Sequence, residues 1–416
     1  MNLCITDVVL DGVVGGIRCA DGRITDLGPG VQPGPDDEIV TGRGLTAVPG
    51  LVNGHGHAAM TLLRGYGDDL PLMEWLQTRI WPAEGRMTGD DIYWGTRLAC
   101  IEMIRSGTTR FWDMYWYHAD VARAVVDAGM RAVPSQVIVS MEGAPPEARI
   151  DGAAEGLEHL ASFGPLISPS LGPHAVYTVS EADLRRVAEL AAERQVPVQI
   201  HCSETEGEVR DCVAEHGCRP AEYLDRVGLL GPRTVLAHGV WLDEAELALV
   251  AERGATVVTN PVSNMKLAVG RAFPYPAARA AGVAVGIGTD GAASNNSLDL
   301  IGELKHLALL QKHAHGDPSV MPSGEAWAIA TGVCAPLLGG SPLAVGAPAD
   351  FSLVDAEATG LLPAALVDAL VYSGTGAVVQ TVVIDGRIVM HDRVVEGEHE
   401  VRERARAAAH RLREES

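Results

Sequence analysis

The chain has 416 residues, too many for one small core but suited to a barrel-sized domain with a smaller companion. With 47% hydrophobic and 21% charged residues it cannot be a disordered chain. A formal net charge of −22 repels phosphates and anionic lipid, which excludes nucleic acid and membrane surfaces as partners.

The chain opens on "MNLCITDVVLDG", with no basic segment ahead of an apolar one, and no run reaches the roughly 18 apolar residues of a membrane span. A soluble, cytoplasmic protein is expected. Cys4, Cys19, Cys100, Cys202, Cys212, Cys218 and Cys334 are scattered and form no C-x-x-C pair, so they read as reduced thiols rather than disulfides or a thiolate zinc site.

Residues 1–48 read as short strands between Asp-Gly and Pro-Gly turns, as in "CITDVVLDG" and "GRITDLGPG". Residues 345–395 repeat that style, with a hairpin signal at Asp385-Gly386, and 396–416 read as a charged terminal helix. Neither β-rich end can bury a core alone, so the two are expected to join in one small β-sandwich. Between them, over 49–344, apolar runs such as "VPVQI", "TVLAHG" and "VAVGIGTDG" alternate with helical stretches such as "EADLRRVAELAAER". About eight such βα units fit, which predicts a (β/α)₈ barrel.

The predicted strands end in chemically active residues. "VPGLVNGHGH" delivers His55 and His57, which as alternate residues of a strand would share one face. "VPVQIHCSE" delivers His201 and Glu204, "TVLAHG" delivers His238, and "VGIGTDG" delivers Asp290. One histidine after a strand is usually a hydrogen-bonded bystander, and an Asp before Gly is usually a turn former. Four strand ends converging on one barrel mouth make a site instead. Imidazoles with a carboxylate suit Zn²⁺, with Fe²⁺ as the other candidate, and leave room for an acidified water.

Gly286, Gly288 and Gly291 spell G-x-G-x-x-G, but no second strand ending in an acid follows, so a dinucleotide site is discounted. The lysines are Lys266, Lys305 and Lys312 only, so no lysine stands on a middle strand to bridge two metals. One metal ion per subunit is expected.

The stretches "PGLVNGHGH", "HCSE", "LAHG", "NPVSNMKL" and "GTDGAASNN" resemble the amidohydrolase superfamily in its mononuclear aminohydrolase branch, over essentially the whole chain. "TLLRGYGDDLPLMEWLQTRIWPAEGRMT" and "GPHAVYT" are similar to the 5′-methylthioadenosine and S-adenosylhomocysteine deaminases. The resemblance implies a zinc-dependent hydrolytic deaminase of adenosine-type nucleosides. It makes His55, His57, His201 and Asp290 metal ligands, Glu204 the proton shuttle, and His238 the group polarising water or substrate. It places Trp75 on the nucleoside, Glu84 on the ribose hydroxyls and His174 on a purine nitrogen. Where members acting on S-adenosylhomocysteine carry an arginine for its amino-acid tail, this sequence has Gln136 in "MRAVPSQVIVS", with Arg149 as a substitute cation. A shorter 5′ group, as in adenosine, 5′-deoxyadenosine or 5′-methylthioadenosine, is then at least as well suited as S-adenosylhomocysteine.

Two other readings compete. The same machinery serves other amino- or chloro-substituted rings, including guanine, cytosine and s-triazines, and a non-catalytic scaffold relative would also keep the fold. Glu84 separates the first, because free bases have no ribose; the complete set of ligands with Glu204 argues against the second. The expected partner is a small purine nucleoside, and the protein is expected to self-associate as a homo-oligomer.

Overall fold

A computed structural model of the chain describes residues 2–141 and 148–414. Among these, the middle of the chain forms eight parallel strands: Leu51–Asn53, Thr108–Asp113, Arg131–Ile138, Ser170–Pro173, Val198–Cys202, Thr234–His238, Thr256–Thr259 and Ala284–Ile287. Each pairs with the next in chain order. The Gly54 amide donates to the Ile287 carbonyl at 2.8 Å, and Gly56–His57 pairs with Asp290–Gly291, closing the barrel. The predicted (β/α)₈ barrel is therefore present. Its strands are buried on both faces, as the apolar runs require when helices wrap a parallel sheet.

Inside the barrel Val52, Trp112, Val133, Val235 and Val258 pack with Ala335 and Leu338, which fill the end opposite the histidines. This packing explains the glycine spacing that imitates a dinucleotide motif. A side chain at Gly286 would collide with Leu338, one at Gly288 with Asn260 and the His55 backbone, and one at Gly291 with Met60. The glycines admit close neighbours, not phosphates.

The chain ends build one eight-stranded sheet, in which Thr46–Pro49 runs antiparallel to Phe351–Val354. Leu3, Ile5, Ile17, Ile24, Phe351, Leu353 and Val383, contributed by both ends, share its core. The predicted hairpin is there: Ile384 faces Arg387 across Asp385 and Gly386, whose φ values of 53° and 71° suit a tight primed turn. Arg131, on the third barrel strand, reaches Asp350 at 2.8 Å and Asp385 at 2.6 Å, pinning the sheet to the barrel. The terminal helix, Glu398–Glu414, packs on Gly89–Arg105 through Arg105–Glu398 and Arg411–Asp91 pairs. Among the described residues, no helix is long and apolar enough to cross a membrane.

Candidate active site

The barrel mouth gathers the predicted cluster. His55 and His57 do not share a continuous strand: the first strand stops at Asn53, and His55 lies in a bend before Gly56–His57. A Cβ at Gly54 would approach Val258 to 2.9 Å, so only glycine lets the chain turn this close to the interior. The two imidazoles still meet, edge to face, with centroids 4.9 Å apart.

Each ligand candidate is held from behind. His55 Nδ1 is 3.1 Å from Gln199 Oε1, His57 Nδ1 is 2.6 Å from the Met114 carbonyl, and His201 Nδ1 is 2.7 Å from the His174 carbonyl. Acceptors on every Nδ1 hold a proton there and turn each Nε2 inward. His57 Nε2 and His201 Nε2 approach to 3.3 Å. Asp290 Oδ1 lies 3.1 Å from His57 Nε2 and 3.6 Å from His55 Nε2, while Ser263 and Ser294 donate to its other oxygen at 2.7 and 2.8 Å. His55 Nε2 is fully buried with no hydrogen-bond partner, a cost that a coordinated cation removes.

Charge favours a cation at this point. Burial, then His57, takes His55 down to about 3, and burial with the surrounding imidazoles holds His201 well below the usual histidine range. Burial also opposes protonation of His57, yet contact with Asp290 takes it up to about 9. Burial likewise opposes ionisation of Asp290, but the imidazoles hold it well below the usual carboxylate range. Two ligand triples, His55–His201–His238 and His55–His57–Asp290, have donor atoms close enough to hold one ion.

Glu204 and His238 stand beside the cluster. Burial pushes the Glu204 carboxyl up, opposed by His238, whose Nδ1 is 3.8 Å from Glu204 Oε1. His238 Nδ1 also lies 2.9 Å from Asn264 Oδ1. Ser203, His238 and Asp290 all hold positive φ, at 52°, 72° and 61°. Such backbone is costly away from glycine and concentrates at sites that need a side chain aimed.

Across the pocket stand Trp75, Glu84 and His174. Trp75 is 5% exposed and donates from Nε1 to the Tyr66 carbonyl at 3.3 Å. Burial raises the carboxyl of half-buried Glu84, with Tyr115, Trp116 and His57 opposing the rise. His174 Nδ1 is 2.9 Å from the Thr178 hydroxyl, leaving Nε2 for a ligand. Leu72, Leu76, Ile80 and Leu267 complete an apolar wall.

Two expected substrate residues stand elsewhere. Gln136 is 1% exposed but directs its carboxamide at Gly156, on the helix Ala153–Ala161 outside the barrel; inward-facing Val137 lines the pocket instead. Arg149 is exposed and absent from the lining, while 142–147 of the same loop lie outside the described residues. Sequence reasoning missed the anchors: Gln199, Ser263, Asn264 and Ser294. A lone polar residue in "VPVQI" and the polar face of "NPVSNMKL" were the signals.

Comparison with known proteins agrees with this geometry. Residues 46–389 match the amidohydrolase family model. A 5′-deoxyadenosine deaminase of Methanoregula boonei is 48% identical over 94% of this chain and 91% of its own length. A 5-methylthioadenosine/S-adenosylhomocysteine deaminase of Desulforudis audaxviator is 45% identical, over 95% of this chain and 93% of its own. An adenosine deaminase from Xanthomonas campestris, solved with bound zinc, superposes with a TM-score of 0.92 at 36% identity over 99% of this chain and 98% of that one. The chain belongs to the amidohydrolase family.

Proposed function

We propose that the protein is a zinc-dependent hydrolytic deaminase that converts an adenosine-type nucleoside and water to the inosine analogue and ammonia. One observation carries the reading. Three imidazoles and Asp290 converge beside an ionisable Glu204 and face Trp75, Glu84 and His174 across one pocket. The unpartnered His55 Nε2 and the N/O donor set fit zinc, with His55, His57, His201 and Asp290 as its holders. When bound, the ion supplies the positive charge that makes water a nucleophile near neutral pH.

The protein's own groups manage binding and protons. Trp75 packs on the nucleoside, Glu84 accepts from the ribose 2′ and 3′ hydroxyls, and His174 donates to a purine nitrogen. Glu204 takes a proton from the attacking water and passes it to ring N1 as the water oxygen bonds to C6. His238 donates to the oxygen that becomes the C6 carbonyl. The remaining hydroxyl proton then passes through Glu204 to the amino group, the C6–N6 bond breaks, and ammonia leaves.

Among the described residues the pocket lining contains no arginine or lysine. Among those residues a free amino-acid carboxylate at the 5′ end finds no counter-charge, which favours 5′-deoxyadenosine, adenosine and 5′-methylthioadenosine over S-adenosylhomocysteine. The same reading assigns catalysis to residues 49–344, the sandwich to 1–48 and 345–395, and a docking helix to 396–416. It also retains a cytoplasmic homo-oligomer that takes small nucleosides. A substrate panel tests it: ammonia release should be fastest with the three small 5′ groups. Preference for adenine, guanine or cytosine would contradict the nucleoside reading, and preference for S-adenosylhomocysteine would contradict the apolar 5′ end.

A further inference from the structure

"HCSETEGE" carries three carboxylates, and the last of them, Glu208, is buried and has no part in the chemical steps proposed for Glu204. Its spacing from Thr205 is that of a capping box, in which Thr205 accepts from the Glu208 amide and Glu208 accepts from the Thr205 amide. Only the first half forms. Thr205 Oγ1 accepts from the Glu208 amide at 3.1 Å and starts the helix Glu206–His216. The Glu208 carboxylate reaches further back: Oε1 accepts from the Ser203 amide at 2.7 Å and Oε2 from the Glu204 amide at 2.8 Å.

Those two amides flank the sharpest point of the strand end. Ser203 holds a φ of 52°, and the turn it makes sends the Glu204 side chain toward His238 and the metal ligands. Ser203, Glu204 and Glu208 are all buried, so neither amide has water as an alternative acceptor. The Ser203 carbonyl is tied down as well, by the Trp241 amide at 2.7 Å. Only a carboxylate offers two acceptor oxygens to two successive amides; a glutamine side chain offers one.

We infer that Glu208 is a positioning residue for the proton shuttle: it grips the amides on either side of the Ser203 Cα and so fixes where the Glu204 carboxyl stands. The inference rests on Glu204 being the proton carrier. A carboxylate recruited only to cap the helix would bond the Thr205 amide and leave Glu204 to its loop. A displaced shuttle slows proton transfer while nucleoside binding and metal retention, which use other elements, stay intact.

The test uses Glu208→Gln in the zinc-loaded, full-length protein. Expected are a fall in kcat of at least about tenfold with 5′-deoxyadenosine, KM within about twofold of wild type, and unchanged zinc content. Hydrogen exchange should also speed up in the peptide carrying Ser203 and Glu204 but not in the one carrying His238. Unchanged kcat, or loss of zinc together with activity, would overturn the assignment. Should wild type deaminate no nucleoside, the proposed function fails on its own, and exchange still decides the inference: unaltered Ser203 and Glu204 amides in Glu208→Gln refute it. If that variant does not fold, Glu208→Asp, which keeps the charge one methylene short, is read on the same two axes.

Discussion

The two walls of the pocket are built in different ways. On one wall, His55, His57, His201, His238 and Asp290 stand at or just beyond barrel strand ends, and each has a hydrogen-bond partner behind it. On the other, Trp75 and Glu84 ride on a helical run over 72–84 that passes through a π turn at Leu76–Ile80 and lies partly in solvent. A rigid wall suits chemistry that needs sub-ångström placement, and a surface segment suits recognition, which tolerates and exploits variation. The walls should therefore fail differently: the strand-end wall in metal content and kcat, the helical wall in KM and substrate preference.

The largest effects belong to the first wall. Asp290→Ala removes a proposed ligand together with the acceptor of two serine hydroxyls, and metal analysis should find the ion depleted and turnover lost. Glu204→Gln keeps the shape but no longer carries protons. It should retain the metal and lose about 10²–10⁴-fold in kcat, or more because one group serves several transfers. Activity within tenfold of wild type at full metal content would remove Glu204 from the shuttle role.

One step behind the ligands, Gln199→Leu takes away the acceptor on His55 Nδ1 while filling much the same volume. Competition with a chelator should show metal affinity weakened by about 10–100-fold, the usual consequence of losing such a partner. An unchanged affinity would mean that barrel packing alone orients the imidazole.

Smaller effects mark the second wall. Glu84→Ala should leave metal content alone and narrow the preference for adenosine over 2′,3′-dideoxyadenosine by about tenfold, close to the 1–3 kcal/mol of an unpaired buried group. Acidification gives the gentlest probe. In the proposed binding mode the ionised form of Glu84 accepts the ribose hydroxyls, and burial holds its carboxyl above the ordinary value of 4.5. KM for adenosine should therefore begin to rise, as pH falls, before an ordinary glutamate would protonate. The dideoxy analogue should lack that rise, and so should Glu84→Ala.

The same contrast governs what the sequence discloses. Barrel and ligands are legible because a buried parallel strand must be apolar to its end, so the histidines and Asp290 stand out where each run stops. Their anchors are not: Gln199 serves His55 from 144 residues away, and only the closed barrel brings them together. Gln136 was misplaced for a different reason. Val133, Ser135 and Val137 point into the barrel, so the period of two turns residue 136 outward, a parity that the family resemblance alone does not carry. The bend at His55 was hidden because H-x-H satisfies a strand and a kinked loop alike. Glu208 fits a capping box by spacing, and only its carboxylate geometry reveals the other use.

Labelled water tests the central claim, hydrolytic deamination at C6, most directly. The zinc-loaded protein is given 5′-deoxyadenosine in H₂¹⁸O, and the product is weighed by mass spectrometry while ammonia is assayed. The expected product is 5′-deoxyinosine carrying one ¹⁸O at C6, with one ammonia for each molecule formed. Release of free adenine, product without the label, or no ammonia from any adenosine-type nucleoside would contradict it.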